Sequence, residues 1–300
     1  MNLQSLWSAL EKADEPLDEY PVKAMMNVAA ELNLPSGWFT WVAAAIMFGK
    51  EAITTEKYMR LFPYGLAETN EGRFASAAQQ GYLVAEEGKY RLSENGAGVV
   101  QQITQAIDEA GAQLQPISAE NLQQFVNYLI RLADTSSIAP EPPTKWSSAY
   151  KRKNMNPGKE ASLLRLIIYY FDQVAAYRDD VYVATWEAHG VEAHAWEAFD
   201  KLIQSGALTF DDLFAKVERR GVTQEMLSGD VKELIGRGWV EEDSGVYQIT
   251  SAGKQAREQV EAETERLFFM PWSCLNESEL EDLSNLASQL RDGLKTQEKK

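Results

Sequence analysis

The chain contains itself twice. GYLVAEEGKYRLSENG begins at Gly81 and GWVEEDSGVYQITSAG at Gly238, an offset of 157 that also aligns Gly88 with Gly245, Tyr90 with Tyr247 and Gly96 with Gly253. At the same offset Gly72 falls on Gly229, and with only 19 glycines in 300 residues four such matches within 25 positions are not a chance pattern. Downstream the offset becomes 158, placing Leu122 on Leu280, Phe125 on Leu283, Leu132 on Leu290 and Asp134 on Asp292. Upstream it is 155, where Trp41 meets Trp196 and Ile53 meets Leu208. A repeat this long predicts two equivalent modules over about 20–134 and 178–292, since each unit of an internal repeat folds as its sister does.

The segments divide as 1–134, a linker at 135–159 and 160–300. The linker holds four prolines and reads as extended chain. It is also basic, with Lys145, Lys151, Arg152, Lys153 and Lys159 against Glu141 alone.

Local signals give the plan of the second copy. A short helix opens at Thr209 or Phe210 and turns at Gly221, and Thr223 then caps a helix to about Gly236. Leu227, Val231, Leu234 and Ile235 form its apolar stripe. Alternating strands at Trp239–Glu242 and Val246–Ile249 flank an Asp-Ser-Gly turn. A long helix follows from Thr250 or Ser251 to about Phe268, and Asn276 with Glu279 makes a capping box for a last helix to Asp292. An apolar helix is also expected over Leu163–Tyr177.

Helix, turn, helix, β-ribbon, helix is the winged helix-turn-helix order. The stretch from Leu208 to Leu294, with GRGWVEEDSGVYQITSAG, a long helix and NESELEDLSNLASQL, resembles the MarR-type regulators, and Ile53 to Leu132 resembles the same pattern. The fold class expected is therefore mainly α with small β-ribbons: two tandem winged helix-turn-helix modules related by internal duplication about a pseudo-two-fold. The resemblance implies a DNA-binding regulator, dimeric through its terminal helices. Here the apolar faces Leu122, Phe125, Leu129, Leu132 and Leu280, Leu283, Leu286, Leu290 would pair the halves of one chain or two chains.

The residues that should read DNA depart from that pattern. The outward face of the second recognition helix carries Glu225, Gly229, Lys232, Glu233 and Gly236, and that of the first Glu68, Gly72, Ala75, Ser76 and Gln79. Base edges are usually met by Arg, Lys, Asn or Gln. The wing tips read Ala85-Glu86-Glu87-Gly88-Lys89 and Glu241-Glu242-Asp243-Ser244-Gly245, where a minor-groove contact wants a cation. A formal charge of −16 opposes phosphate backbones as well. The cations left for phosphate are Lys151, Arg152 and Lys153 of the linker with Lys216, Arg219, Arg220 and Lys232. Glycine at Gly72 and Gly229 costs about 1 kcal/mol relative to alanine within a helix, which suggests close packing of another helix there.

A rival site is a small-ligand crevice lined by Tyr177, Arg178, Trp186, His189 and Trp196. His189 and His194 are spaced poorly for a metal on a helix, and Gly190 breaks the helix between them. Arg178-Asp179-Asp180 reads as local ion pairs and caps. Cys274 is the one cysteine, which excludes an internal disulfide and a cysteine-based zinc site. No phosphate loop, serine elbow or spaced carboxylate pair points to catalysis, and no cofactor is expected. Trp38–Phe48 is the longest apolar stretch at 11 residues, too short to cross a bilayer, and the acidic amphipathic start favours the cytoplasm. Two functions follow: a non-catalytic regulator whose DNA contact a small apolar ligand modulates, or a winged-helix protein that has lost DNA reading and serves protein interaction or ligand sensing. Candidate partners are DNA, such a ligand, a protein or a second copy of the chain.

Overall fold

The computed structural model describes residues 2–158 and 160–297. Lys159, counted among the linker cations, lies outside them. The first half runs α1 (Leu3–Glu31), α2 (Trp38–Phe48), α3 (Thr55–Leu61), α4 (Ala67–Gln79), β1 (Leu83–Glu86), β2 (Lys89–Leu92), α5 (Glu94–Ala112) and α6 (Ala119–Ile138). A connecting helix, α7 (Trp146–Asn154), leads to α8 (Leu163–Glu187), α9 (Ala193–Ser205), β3 (Ala207–Thr209), α10 (Phe210–Val217), α11 (Gln224–Gly236), β4 (Val240–Asp243), β5 (Val246–Ile249), α12 (Ser251–Phe269) and α13 (Glu277–Gln297). From α4 to α5 and from α11 to α12 the bounds of all four elements stand 157 residues apart.

The repeated glycines and hydroxyls have a common cause. Ser93 caps α5 by accepting from the Gly96 amide at 3.0 Å, and its hydroxyl donates to the Gly81 carbonyl at 2.6 Å. Thr250 does the same for α12, accepting from the Gly253 amide at 3.1 Å and donating to the Gly238 carbonyl at 2.6 Å. A Cβ on Gly96 would stand 2.0 Å from the Tyr82 carbonyl oxygen, and one on Gly253 2.2 Å from that of Trp239. Only glycine lets the long helix approach the strand entrance so closely. At the hairpin tips Glu87 and Ser244 adopt φ of 50° and 54°, each followed by a left-handed glycine, Gly88 or Gly245.

The hairpins pair antiparallel, Leu83 with Leu92 and Val240 with Ile249. β3 adds a third strand on β5, with Leu208 opposite Tyr247. In the first half that strand shrinks to one bridge between Ile53 and Tyr90.

Three apolar cores follow. One lies within the α2–α5 segment of the first half, around Phe74 and Trp41, and one within the α9–α12 segment of the second, around Trp196 and Leu227. The third joins the halves. α6 packs on α8 and α13 on α1, so each half's closing helix lies on the other's opening helix. Leu122, Phe125, Leu129, Leu132, Leu283, Leu286 and Leu290 are buried there, with Leu280 at the margin, and Trp7 stacks on Phe171 at 5.4 Å. The terminal apolar faces therefore pair the two halves within one chain.

Three local expectations are corrected. The linker is not extended throughout, because α7 forms within it and packs on α8, α2 and α3. Its N-terminus is held by the buried carboxylate of Asp180, which accepts from the Ser147 amide at 2.8 Å and the Ser148 amide at 3.0 Å. The helix expected to end at Tyr177 continues to Glu187, so Asp180 caps a neighbour rather than its own helix. The last helix also passes Asp292 and runs to Gln297.

Candidate nucleic-acid interface and the cleft between the halves

Thr223 caps α11 by accepting from the Met226 amide at 3.2 Å. Leu227, Val231 and Leu234 are buried beneath the helix, whereas Ile235, placed in the same stripe by its spacing, is 38% exposed. Its outward face is open at Glu225, Gly229, Lys232 and Gly236, with Glu233 half-buried and paired to Arg237 at 2.7 Å. On α4, Glu68, Gly72 and Gln79 are exposed, while Ala75 and Ser76 are half-buried. Both wing tips, 85–89 and 241–245, are exposed and carry the expected carboxylates.

The close packing expected at Gly72 and Gly229 is absent within the chain: a Cβ at either would meet nothing within 4 Å. Contact between α4 of the first half and the turn before α11 occurs elsewhere. The Leu66 amide, at the cap of α4, donates to the Arg220 carbonyl at 3.1 Å. One residue on, a Cβ at Gly221 would stand 2.2 Å from the Thr69 hydroxyl. The turn of the second unit thus lies against the first turn of α4, the part of a recognition helix that normally meets base edges.

The expected basic patch is divided. Lys151 pairs with Asp172 at 3.2 Å, Arg152 with Asp134 at 2.5 Å, and Lys153 with Glu51. Arg220 pairs with the buried Glu197 at 3.2 Å. Lys216, Arg219 and Lys232 are exposed. The linker cations are thus occupied with carboxylates of α8, α6 and the loop after α2, and do not form a free phosphate-binding surface.

The five residues proposed as a crevice do not converge. Trp186 and Trp196 are buried and stack at 5.9 Å, with His189 lying over Trp196 at 6.4 Å. Tyr177 is buried, its hydroxyl donating to the Glu141 carbonyl at 2.8 Å, and burial pushes that hydroxyl's pKa up to about 12. Arg178 pairs with Glu261 on α12 at 2.6 Å. These residues build core and interface instead.

A cleft of about 1360 Å³ opens beside them, between α3 and its flanking loop in the first half, the linker, α8 and α12. Of the five, His189 alone lines it. Phe62, Tyr64, Trp146 and Tyr182 give aromatic lining, and Arg60, Lys151, Arg220, Asp179 and Glu187 give charge. Burial raises the carboxyl pKa of both Asp179 and Glu187. The sequence offered no periodic signal for Tyr64 or Trp146, which reach the cleft from a loop and from α7.

His194 has a structural partner. Its Nδ1 lies 2.8 Å from Oδ1 of the buried Asp230, joining α9 to α11, and this hydrogen bond raises the imidazole pKa. Among the described residues no group of three or more His, Cys, Asp or Glu side chains is placed to hold a metal ion, and no helix is long and apolar enough to cross a membrane.

No curated protein and no solved structure matches the chain. Residues 176–298 do match the model of a helix-turn-helix family, covering α9 to α13 with the end of α8, which supports a helix-turn-helix domain over those residues.

Proposed function

We propose that the chain is a ligand-sensing winged-helix protein, an internal duplication of a MarR-like unit fused into a pseudo-dimer that no longer reads two successive major grooves. The contact of Leu66 and Thr69 with Arg220 and Gly221 carries this reading. A two-fold reader sets its recognition helices one DNA turn apart, about 34 Å, with their first turns free. Here the first turn of α4 is occupied by the sister unit. The carboxylates at Glu86, Glu87, Glu241, Glu242 and Asp243 would add repulsion where wings approach phosphate. The cleft touches α8, α12 and the first helix-turn-helix unit at once, so a molecule bound there acts on how the halves sit together. This reading assigns the chain no catalytic step.

A second reading, a DNA-binding regulator working through α11, is favoured by the family match and by the exposure of Lys216, Arg219 and Lys232 around an open helix face. Fluorescence anisotropy with labelled genomic fragments at low salt separates the two. The first expects no retention at micromolar protein, and melting-temperature shifts from members of a library of neutral and charged aromatic compounds. Tight binding with a steep salt slope, lost in Lys232→Glu, would replace it with the second.

A further inference from the structure

Arg73 occupies, at the offset of 157, the place that Asp230 holds in the second half, and Phe39 stands at the offset of 155 where His194 does. The second half fills this place with its own pair, His194 Nδ1 lying 2.8 Å from Asp230. In the first half the half-buried Arg73 donates to the side-chain carbonyl of Asn70 at 3.3 Å, and among the described residues no carboxylate pairs with it. Trp41 shows a similar deficit. Its counterpart Trp196 donates through Nε1 to the Tyr182 hydroxyl at 2.9 Å, whereas Trp41 is 1% exposed and its Nε1 meets no acceptor. Both Arg73 and Trp41 line one pocket of about 200 Å³, set between the start of α2 and the outward side of α4. Gly37, the N-cap of α2, has no side chain to offer the first amides of that helix, and a Cβ built there would stand 3.8 Å from Arg73 Cγ. Ser76 adds a donor, since its Oγ accepts from Gln80 at 3.0 Å and keeps its own proton free. Gly72 lies on the same lining with open space where a side chain would stand, and no carboxylate is part of it.

We propose that this pocket binds a small phosphate-class oxyanion, its charge met by the Arg73 guanidinium and the start of α2, with Trp41 and Ser76 supplying further hydrogen-bond donors. The proposal does not depend on the 1360 Å³ cleft, with which the pocket shares no lining residue. A guanidinium presents a planar fork of donors that matches the oxygens of phosphate. A helix N-terminus favours negative charge through its unmet amides. A buried N–H without an acceptor is unfavourable, and an oxyanion supplies for Trp41 what Tyr182 supplies for Trp196. At about 30 Å³ per water in the liquid, the pocket has room for a phosphate with a short substituent. A DNA duplex is the less suited source of phosphate. The first turn of α4, which borders the pocket at Thr69, is covered by Gly221, and both wing tips carry carboxylates.

With the tryptophans of the full chain labelled with heavy nitrogen, the indole N–H resonance of Trp41, assigned through Trp41→Phe, reads the pocket directly. Inorganic phosphate, added against chloride at constant ionic strength, should shift that resonance saturably and leave those of Trp7 and Trp272 in place. Arg73→Gln should weaken binding by about tenfold or more, and Arg73→Lys by less. Gly72→Asp removes no contact, places a carboxylate at the pocket and should abolish the shift. Arg219→Gln takes an exposed cation from elsewhere and should change nothing. Absence of a saturable shift at Trp41, equal shifts in all the indoles, or undiminished binding in either Arg73→Gln or Gly72→Asp would each overturn the proposal. So would a short DNA duplex that shifts Trp41 at concentrations where free phosphate does not, because the occupant would then be a nucleic-acid backbone. Melting-temperature shifts from aromatic compounds test the cleft separately, so failure here leaves that reading standing.

Discussion

The α2–α5 segment of the first half and the α9–α12 segment of the second agree where the backbone makes demands and differ where side-chain charge decides. Ser93 and Thr250, Gly96 and Gly253, and the left-handed hairpin residues occupy the same places and make the same bonds. The caps satisfy the first amides of each long helix, and Gly96 and Gly253 leave room that any side chain would fill. Between α2 and α4, however, the first half sets an exposed Phe39 and a half-buried Arg73 where the second, between α9 and α11, sets His194 and a buried Asp230. α4 has its leading turn covered by the turn before α11, while the outward face of α11 stays open. The comparison teaches that two segments of one chain can share their backbone geometry while electrostatics and access diverge.

The most severe test of that agreement is to add a methyl group at the two tight glycines. Gly96→Ala and Gly253→Ala each force a Cβ against a backbone oxygen that no rotamer change can move aside. Overpacking of this kind should cost about 3 kcal/mol in either half, and urea denaturation would read it. A loss in one variant with tolerance in the other would break the equivalence of the two units.

How much of this was legible beforehand follows the same division. The caps at Thr209, Thr223 and Asn276, the wing strands and the turn glycines could be read because each signal spans only a few residues. The linker misled because four prolines describe its ends, whereas Trp146–Asn154 contains none and folds once Asp180, far along the chain, caps it. Lys151, Arg152 and Lys153 resembled a phosphate patch until Asp172, Asp134 and Glu51 came within reach of them. Trp186 and Trp196 suggested a pocket wall but are core, since the break at Gly190 folds one tryptophan onto the other. The cleft joins Tyr64, Trp146 and Asp179 from three separate segments, and no periodicity connects them.

A smaller effect should separate the units at the His–Asp pair. His194→Ala leaves Asp230 buried without its partner and should cost about 2 kcal/mol at pH 6. Phe39→Ala in the corresponding place of the first half removes an exposed ring and should change stability by less than about 0.5 kcal/mol. The His194 pKa is raised in the fold, so its contribution is complete below the unfolded value of 6.5 and is lost as pH rises through the folded one. Denaturation midpoints for His194→Ala and the parent should therefore converge from pH 6 toward alkaline pH. A constant gap would mean that packing, not charge, is what the imidazole supplies.

The smallest expected effect lies where the halves cannot correspond, because α7 exists once. Its Lys151 sits among Asp14 and Asp18 of α1 and Asp172 and Asp179 of α8, one cation for four carboxylates. Burial, reinforced by Asp18 and Asp172, pushes the half-buried Asp14 up to about 8, and Asp18 rises to about 6. The folded chain then holds a proton on Asp14 that the unfolded chain releases near its ordinary 3.8. Stability from this group is present below that value and drains away as pH rises to about 8. Asp14→Asn removes the titration, so variant and parent should match near pH 4 and separate toward pH 8, the variant being the more stable. Solvent screening at a half-buried site reduces the gain to about 1 kcal/mol, or about 2–4 °C in melting temperature. Parallel pH profiles would mean that Lys151 alone neutralises the cluster, and that the one element without a counterpart has balanced the interface it crosses.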